Sequence, residues 1–152
     1  MKRIRAVADY QFGKGVGVEL FPEGVRILFS KRTGRVRYVY LEDERLATLR
    51  PTDGFFSLGI RGAKRVAERA PQALCFVTVK SDVSQFIVEG GDVFAAHVLK
   101  ADAEIRAKDE VIIVDHGGNV LAVGRSVLSG EEMMAFKRGV AVKVRRGTGG
   151  ES

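Results

Sequence analysis

The stretch from Gly118 to Arg146 admits few folds, because it reads as strand, capped helix and strand in direct succession. Ser129 and Glu132 fit the S-x-x-E capping box, in which the serine side chain takes a backbone N–H and the glutamate reaches back to the cap. Gly130 to Arg138 then supplies about two helical turns. Lys137 and Arg138 are expected in the last turn, where cations suit the helix dipole, and Gly139 stands where a left-handed residue ends a helix. Beyond it, Val140, Val142 and Val144 alternate with Ala141, Lys143 and Arg145. That spacing predicts a strand with one apolar and one largely cationic face. Such a strand is an economical scaffold, and it is also what a phosphate-binding edge looks like.

Charge extends this reading. The 152 residues carry a formal net charge of +6. Residues 1–72 hold 15 Lys/Arg against 8 Asp/Glu, a balance of +7, and residues 73–152 hold 10 against 11, a balance of −1. The first half therefore bears the basic field, which suits nucleic acid or another anionic partner. Cys75 is the single cysteine, so no internal disulfide and no cysteine-rich zinc site can form. A reducing, cytoplasmic setting is expected. No signal peptide follows Met1–Lys2–Arg3–Ile4–Arg5, and no apolar run approaches the about 18 residues of a membrane span.

Along the chain, residues 2–12 have near-helical spacing and end at Gly13, with Gly13, Gly15 and Gly17 forming a flexible joint. Val25–Ser30 and Arg35–Leu41 read as a hairpin across Lys31–Arg32–Thr33–Gly34. Arg45–Arg50 and Phe55–Leu58 are two more strands, and Ile60, Ala63, Val66, Ala67 and Ala70 mark a helix that Pro71 ends. The first part is thus helix, antiparallel meander, helix. Past a boundary at Ala70–Ala73 come a buried strand at Leu74–Val79, a short helix at residues 82–88 ended by Gly90–Gly91, a strand at Asp92–Leu99, and a loop at Asp102–Lys108. Glu110–Val114 and Asn119–Val127 pair as a hairpin.

Catalytic chemistry finds little to work with. His97 and His116 are isolated, and each reads as structural. Cys75 reads as a small buried hydrophobe. The carboxylates at Glu42–Glu44 and Asp109–Glu110 read as solvated turns, and Met133 or Met134 as a core residue. No catalytic residue, cofactor or metal site is expected. Binding features are better: Gly90 and Gly91 could let another backbone approach or aim N–H groups at a phosphate or ribose, and Lys143, Arg145 and Arg146 form a cationic strand end.

Phe86–Ile87–Val88–Glu89–Gly90–Gly91–Asp92–Val93–Phe94–Ala95 resembles the start of a PUA domain, an RNA-binding module. Asp109–Val114, Leu121–Ser126 and Arg138–Arg145 continue it in order. Ile4–Gly13, Lys31–Arg37 and Leu46–Gly54 resemble the domain that precedes the PUA domain in archaeosine tRNA-guanine transglycosylase. The resemblance implies an α+β chain: an N-terminal antiparallel sheet with two helices over residues 1–72, then a PUA-type β pseudo-barrel with two short helices over 73–147, and a disordered tail over 148–152. It implies RNA contacts at Gly90, Gly91, Asp92 and Val93 and at Lys143, Arg145 and Arg146, with Lys31, Arg32, Arg35 and Arg37 as supplementary basic residues. In that family a zinc-bearing TIM barrel exchanges a guanine in the tRNA D-arm, while the C-terminal domains grip the acceptor stem and 3′ end. The implied role is a non-catalytic tRNA-binding accessory that works with a separate transglycosylase chain, tRNA or another structured RNA being the partner. The alternative is an independent PUA module in rRNA or other tRNA maturation. One departure stands out: Ala107–Lys108 replaces the family's Pro-Gly, so the turn must avoid a positive φ at Lys108 or strain it.

Overall fold

The computed structural model of the chain describes residues 1–150, which fall into two units, Met1–Ala73 and a second beginning at Leu74. In the first unit, α1 (Lys2–Phe12) buries Ile4, Ala8 and Phe12, one stripe at a spacing of four residues. The expected flexible joint is instead the start of a second helix, α2 (Val16–Leu20). Asp9 makes the difference, its Oδ1 accepting the Gly17 N–H at 2.6 Å and so holding a donor that the first turn of α2 would leave open. The two helices meet so closely that a Cβ on Gly17 would collide with the Arg5 carbonyl oxygen. Arg5 completes the junction by donating from Nε to the Phe21 carbonyl at 2.8 Å.

Four strands follow as an antiparallel meander in the order β1 (Arg26–Phe29), β2 (Val36–Leu41), β3 (Glu44–Leu49), β4 (Phe56–Leu58). Ile27, Val39, Ala47 and Leu58 are in register across all four, and the last three are buried. α3 (Ile60–Arg69) buries Ile60, Ala63 and Val66 beside β3 and β4. The open edge of β4 is closed by a side chain: the Gln11 amide donates to the Phe56 carbonyl at 2.7 Å and accepts the Phe56 N–H at 2.8 Å.

The second unit curls six strands into a nearly closed, PUA-like barrel. Its strands are β5 (Phe76–Val79), β6 (Val93–Phe94), β7 (Val98–Ala101), β8 (Glu110–Val114), β9 (Val120–Ser126) and β10 (Val140–Gly147), in the order β6-β10-β9-β8-β5-β7. All neighbours are antiparallel except β5 and β8. Val77, Val79, Ile87, Val111, Ile113, Met133 and Val142 build its core. Two helices, α4 (Ser84–Val88) and α5 (Gly130–Ala135), complete it.

The capping box forms in full: Glu132 N–H donates to Ser129 Oγ at 3.1 Å, and Ser129 N–H donates to Glu132 Oε1 at 2.9 Å. The helix it starts is shorter than expected. It stops at Ala135, Phe136 is already extended, and Lys137 and Arg138 lie beyond the last turn. The chain leaves because the Gly139 carbonyl accepts the Ala95 N–H at 2.9 Å, so strand pairing with β6 takes over. The strand expected over Asp92–Leu99 is likewise broken. Its first part pairs with β10 and its last with β5, and a 3-10 turn at Ala95–His97 makes the corner. His97 fixes that corner, its Nδ1 accepting the Phe94 N–H at 3.2 Å. The expected tail begins with another 3-10 turn at Thr148–Gly150, and residues 151 and 152 lie outside the described residues.

Candidate nucleic-acid interface

The glycine loop is first of all the end of a helix. Gly90 has φ +104°, which suits glycine, and its N–H donates to the Ile87 carbonyl at 2.9 Å. Gly91 N–H donates to the Phe86 carbonyl, also at 2.9 Å. These two bonds are the Schellman arrangement that satisfies the last carbonyls of α4. They also use the two amides that the sequence suggested could face a phosphate. Asp92 then ties the loop to the last strand, Oδ1 accepting the Val144 N–H at 3.0 Å. Val93 is fully buried and pairs with Val142. Two segments some fifty residues apart in sequence are thus joined (|i−j| is 52 for the Asp92–Val144 bond). What the loop shows outward is the half-exposed ring of Phe86, lying so close against Gly91 that a Cβ there would meet it.

On β10 the expected alternation holds only from Val142 to Val144: Ala141 is buried like Val142, and the pairing with β6 shifts between Val140 and Val142. The pairing steps from Val144↔Gly124 to Arg146↔Val123, leaving Arg145 as the extra residue of a bulge. Re-aimed in this way, its guanidinium forks onto Glu110, Nη1 to Oε1 at 2.9 Å and Nη2 to Oε2 at 2.5 Å. The Glu110 side chain is 0% exposed and that of Arg145 38%. Glu110 is therefore no solvated turn residue, because the bulge brings it a cation that compensates its burial. Lys143 is exposed and sits directly opposite exposed Arg125, which in turn sits opposite Glu110. Like charges facing each other across strands work against stability, and Glu110 is already held by Arg145. Arg125 donates from Nε to the Lys108 carbonyl at 3.2 Å, and the rest of its exposed guanidinium, beside Lys143, is placed for an anion from outside. Arg125 was not singled out by the sequence, since only the hairpin register places it beside Lys143. Arg146 is exposed at the same end of β10.

In the first unit Lys31, Arg32 and Arg35 stand exposed on the β1–β2 hairpin, and Arg37 lies over the Tyr38 ring at 5.3 Å. Ser30 Oγ accepts the N–H groups of Arg32 and Thr33 at 3.2 and 3.3 Å, which fixes the turn that carries them. Cys75 is buried, and burial, with the nearby charges of Asp102, Glu110 and Asp109, pushes its thiol far above the ordinary range, so it is no nucleophile. Among the described residues no group of three or more His, Cys, Asp or Glu could hold a metal ion, and no helix is long and apolar enough to cross a membrane.

Comparison with known proteins gives this geometry its setting. Residues 2–72 match the patch-forming domain C2 of tRNA-guanine transglycosylase, and residues 76–148 match the PUA domain, an RNA-binding module. The tRNA-guanine(15) transglycosylase of Methanothermobacter thermautotrophicus is 42% identical over 97% of the chain, and that of Thermococcus kodakarensis 44% identical over 96%. The chain spans 22% and 25% of those relatives' lengths. A crystal structure of a hypothetical protein from Pyrococcus horikoshii OT3 shares the fold at a TM-score of 0.79, with 23% identity, covering 99% of this chain and 90% of that one. The chain thus combines a domain matching the patch-forming domain C2 with one matching the PUA domain, and it is similar over nearly its whole length to the C-terminal region of archaeal tRNA-guanine(15) transglycosylases.

Proposed function

We propose that this chain grips tRNA, at the acceptor stem and 3′ end, as a non-catalytic accessory to archaeosine tRNA-guanine transglycosylation. The observation that carries this reading is the pairing of exposed Lys143 with exposed Arg125 across β9 and β10, on a strand to which Asp92 ties the glycine loop. Phosphates neutralise such a pair, and the half-exposed Phe86 ring at the loop is suited to stacking on an unpaired base. The first unit, with its balance of +7, adds sequence-independent attraction to the stem. Gly90, Gly91, Asp92 and Val93 act in this reading by shaping the loop rather than by donating to RNA. Among the strand cations, Lys143 and Arg146 are exposed, and Arg145 is held on Glu110.

The test is tRNA binding by the chain across a salt series, with intact tRNA and with tRNA lacking its 3′-terminal nucleotides. Lys143→Ala combined with Arg125→Ala is expected to weaken binding and lower the slope of log K against log salt by about 2 for duplex contacts. An unchanged slope removes this strand pair from the interface. Mixing the chain with a transglycosylase catalytic chain should raise guanine exchange in tRNA. No change in exchange, together with recovery of rRNA in place of tRNA after crosslinking, would instead identify an independent PUA module.

A further inference from the structure

We propose that the first unit carries a second RNA site, one for an unpaired nucleotide, made of an arginine-lined groove and the exposed ring of Tyr10. The groove lies at the hairpin end of the four-stranded sheet and has a volume of about 430 Å³. Arg32, Arg35, Arg37 and Arg50 line it, with Ser30 and Leu49. Arg50 is held in place by Asp53, Nη2 to Oδ2 at 3.0 Å, so its charge is largely met within the protein. Arg32, Arg35 and Arg37 have no carboxylate partner among the described residues. Acidic Glu42, Asp43 and Glu44 sit at the β2–β3 turn, the opposite end of the same strands, and Asp53, the acid beside the groove, is engaged by Arg50. Guanidinium forks of this kind match phosphate oxygens.

An aromatic pair begins one residue past Gly54, the last of the groove's lining residues. Arg50 N–H donates to the Phe55 carbonyl at 2.8 Å, which fixes the Phe55 backbone next to Gly54, a groove-lining residue. The Tyr10 ring stacks on Phe55, centroids 5.9 Å apart and planes 13° from parallel. Tyr10 is nonetheless 81% exposed, so its second face is bare. A large ring with one face stacked and the other in water, on a partner that directly follows a lining residue of an arginine-rich groove, suits a nucleotide better than either feature would alone. Stacking is worth about 1–3 kcal/mol per base and tolerates any base, while the arginines supply salt-dependent affinity for the adjoining phosphates. A fully paired stem offers phosphates but no free base face, so the site selects single-stranded or looped-out RNA.

This site rests on the RNA-binding reading above, and one experiment separates the two. The chain contains no tryptophan, so Tyr10→Trp in the full chain places a single indole reporter in the aromatic pair and keeps the stacking surface. A single-stranded oligouridine is expected to quench the indole emission on binding, and a blunt duplex to leave it unchanged. Arg32→Ala with Arg35→Ala should lower the salt slope for the oligouridine by about 1.4, two phosphate contacts' worth for a single strand. Binding with unchanged emission and unchanged slope overturns the site and assigns the arginines to an acidic protein partner. Loss of oligouridine binding with tRNA still bound by the wild-type chain overturns this site alone, and failure of the wild-type chain to bind tRNA as well overturns the RNA-binding reading itself.

Discussion

Arg145 is the residue at which the sequence and the structure assign different work, and its removal decides between them. As a strand-end cation it would contact RNA, and its loss would change affinity and salt dependence alone. As observed, it forks onto a carboxylate with no exposed surface. Breaking a buried pair by deleting one partner costs roughly 3–5 kcal/mol, because the remaining charge has lost its compensation. With 38% of the Arg145 side chain in water, screening places this pair at the lower end, about 3 kcal/mol. For a protein of this length that is a fall of roughly 6–12 °C in Tm. Arg145→Ala should therefore unfold earlier by circular dichroism and in urea. Replacing both partners, Arg145→Met with Glu110→Leu, should recover most of the loss, since two apolar groups leave no charge unmet. RNA affinity of the single variant, measured where it is fully folded, should change little. A Tm within about 2 °C of wild type, coupled to a clear drop in affinity, would refute the structural role and return Arg145 to the RNA surface.

Three further outcomes follow from the same geometry. Lys108 has φ +77°, the strain anticipated where glycine is absent, so Lys108→Gly should raise stability by up to about 1 kcal/mol, the relief of a left-handed side chain less glycine's unfolded-state entropy; a lower urea midpoint would show the turn to be unstrained. The raised thiol of Cys75 makes its stabilising contribution fully present below the ordinary thiol pKa of about 8.5, and above that pH stability should fall by up to about 1.4 kcal/mol per unit, a slope that Cys75→Ala removes in urea titrations at about pH 8 and 10. Gly90→Ala should cost about 1 kcal/mol through its left-handed backbone, and Gly91→Ala less, because the Phe86 ring it meets can swing into solvent; equal losses on thermal melting would contradict the helix-ending role of Gly90.

Much of the fold was legible because local signals agreed with one another. Ser129 and Glu132 announced α5, alternating valines announced β10, and the hairpins announced themselves at glycine turns. What escaped notice depended on partners distant in sequence. Asp9 turns a glycine-rich joint into a helix by reaching Gly17. α5 stops at Ala135, four residues short of Gly139, whose carbonyl is claimed by Ala95, more than forty residues away. Of the candidate site, Lys143 and the hairpin arginines could be read directly as exposed cations. Glu110 could not be read as buried, because only a one-residue bulge turns Arg145 toward it and no spacing rule announces a bulge. Arg125 and Tyr10 needed strand register and ring stacking before they meant anything.

The strand order β6-β10-β9-β8-β5-β7 has a consequence for synthesis. β10, the last of the barrel's strands to leave the ribosome, is an interior strand flanked on both sides, and it carries Ala141 and Val142 of the core. Until it emerges, β6 has no neighbour on the sheet and β9 has one bare edge. The barrel therefore closes only after translation has passed residue 147, whereas the four-stranded sheet and its helices are complete by Ala73. A nascent chain stalled between those points would display a finished N-terminal unit ahead of a half-built barrel with an unpaired edge, the species that chaperones bind and that a nonsense mutation ahead of β10 would leave behind permanently.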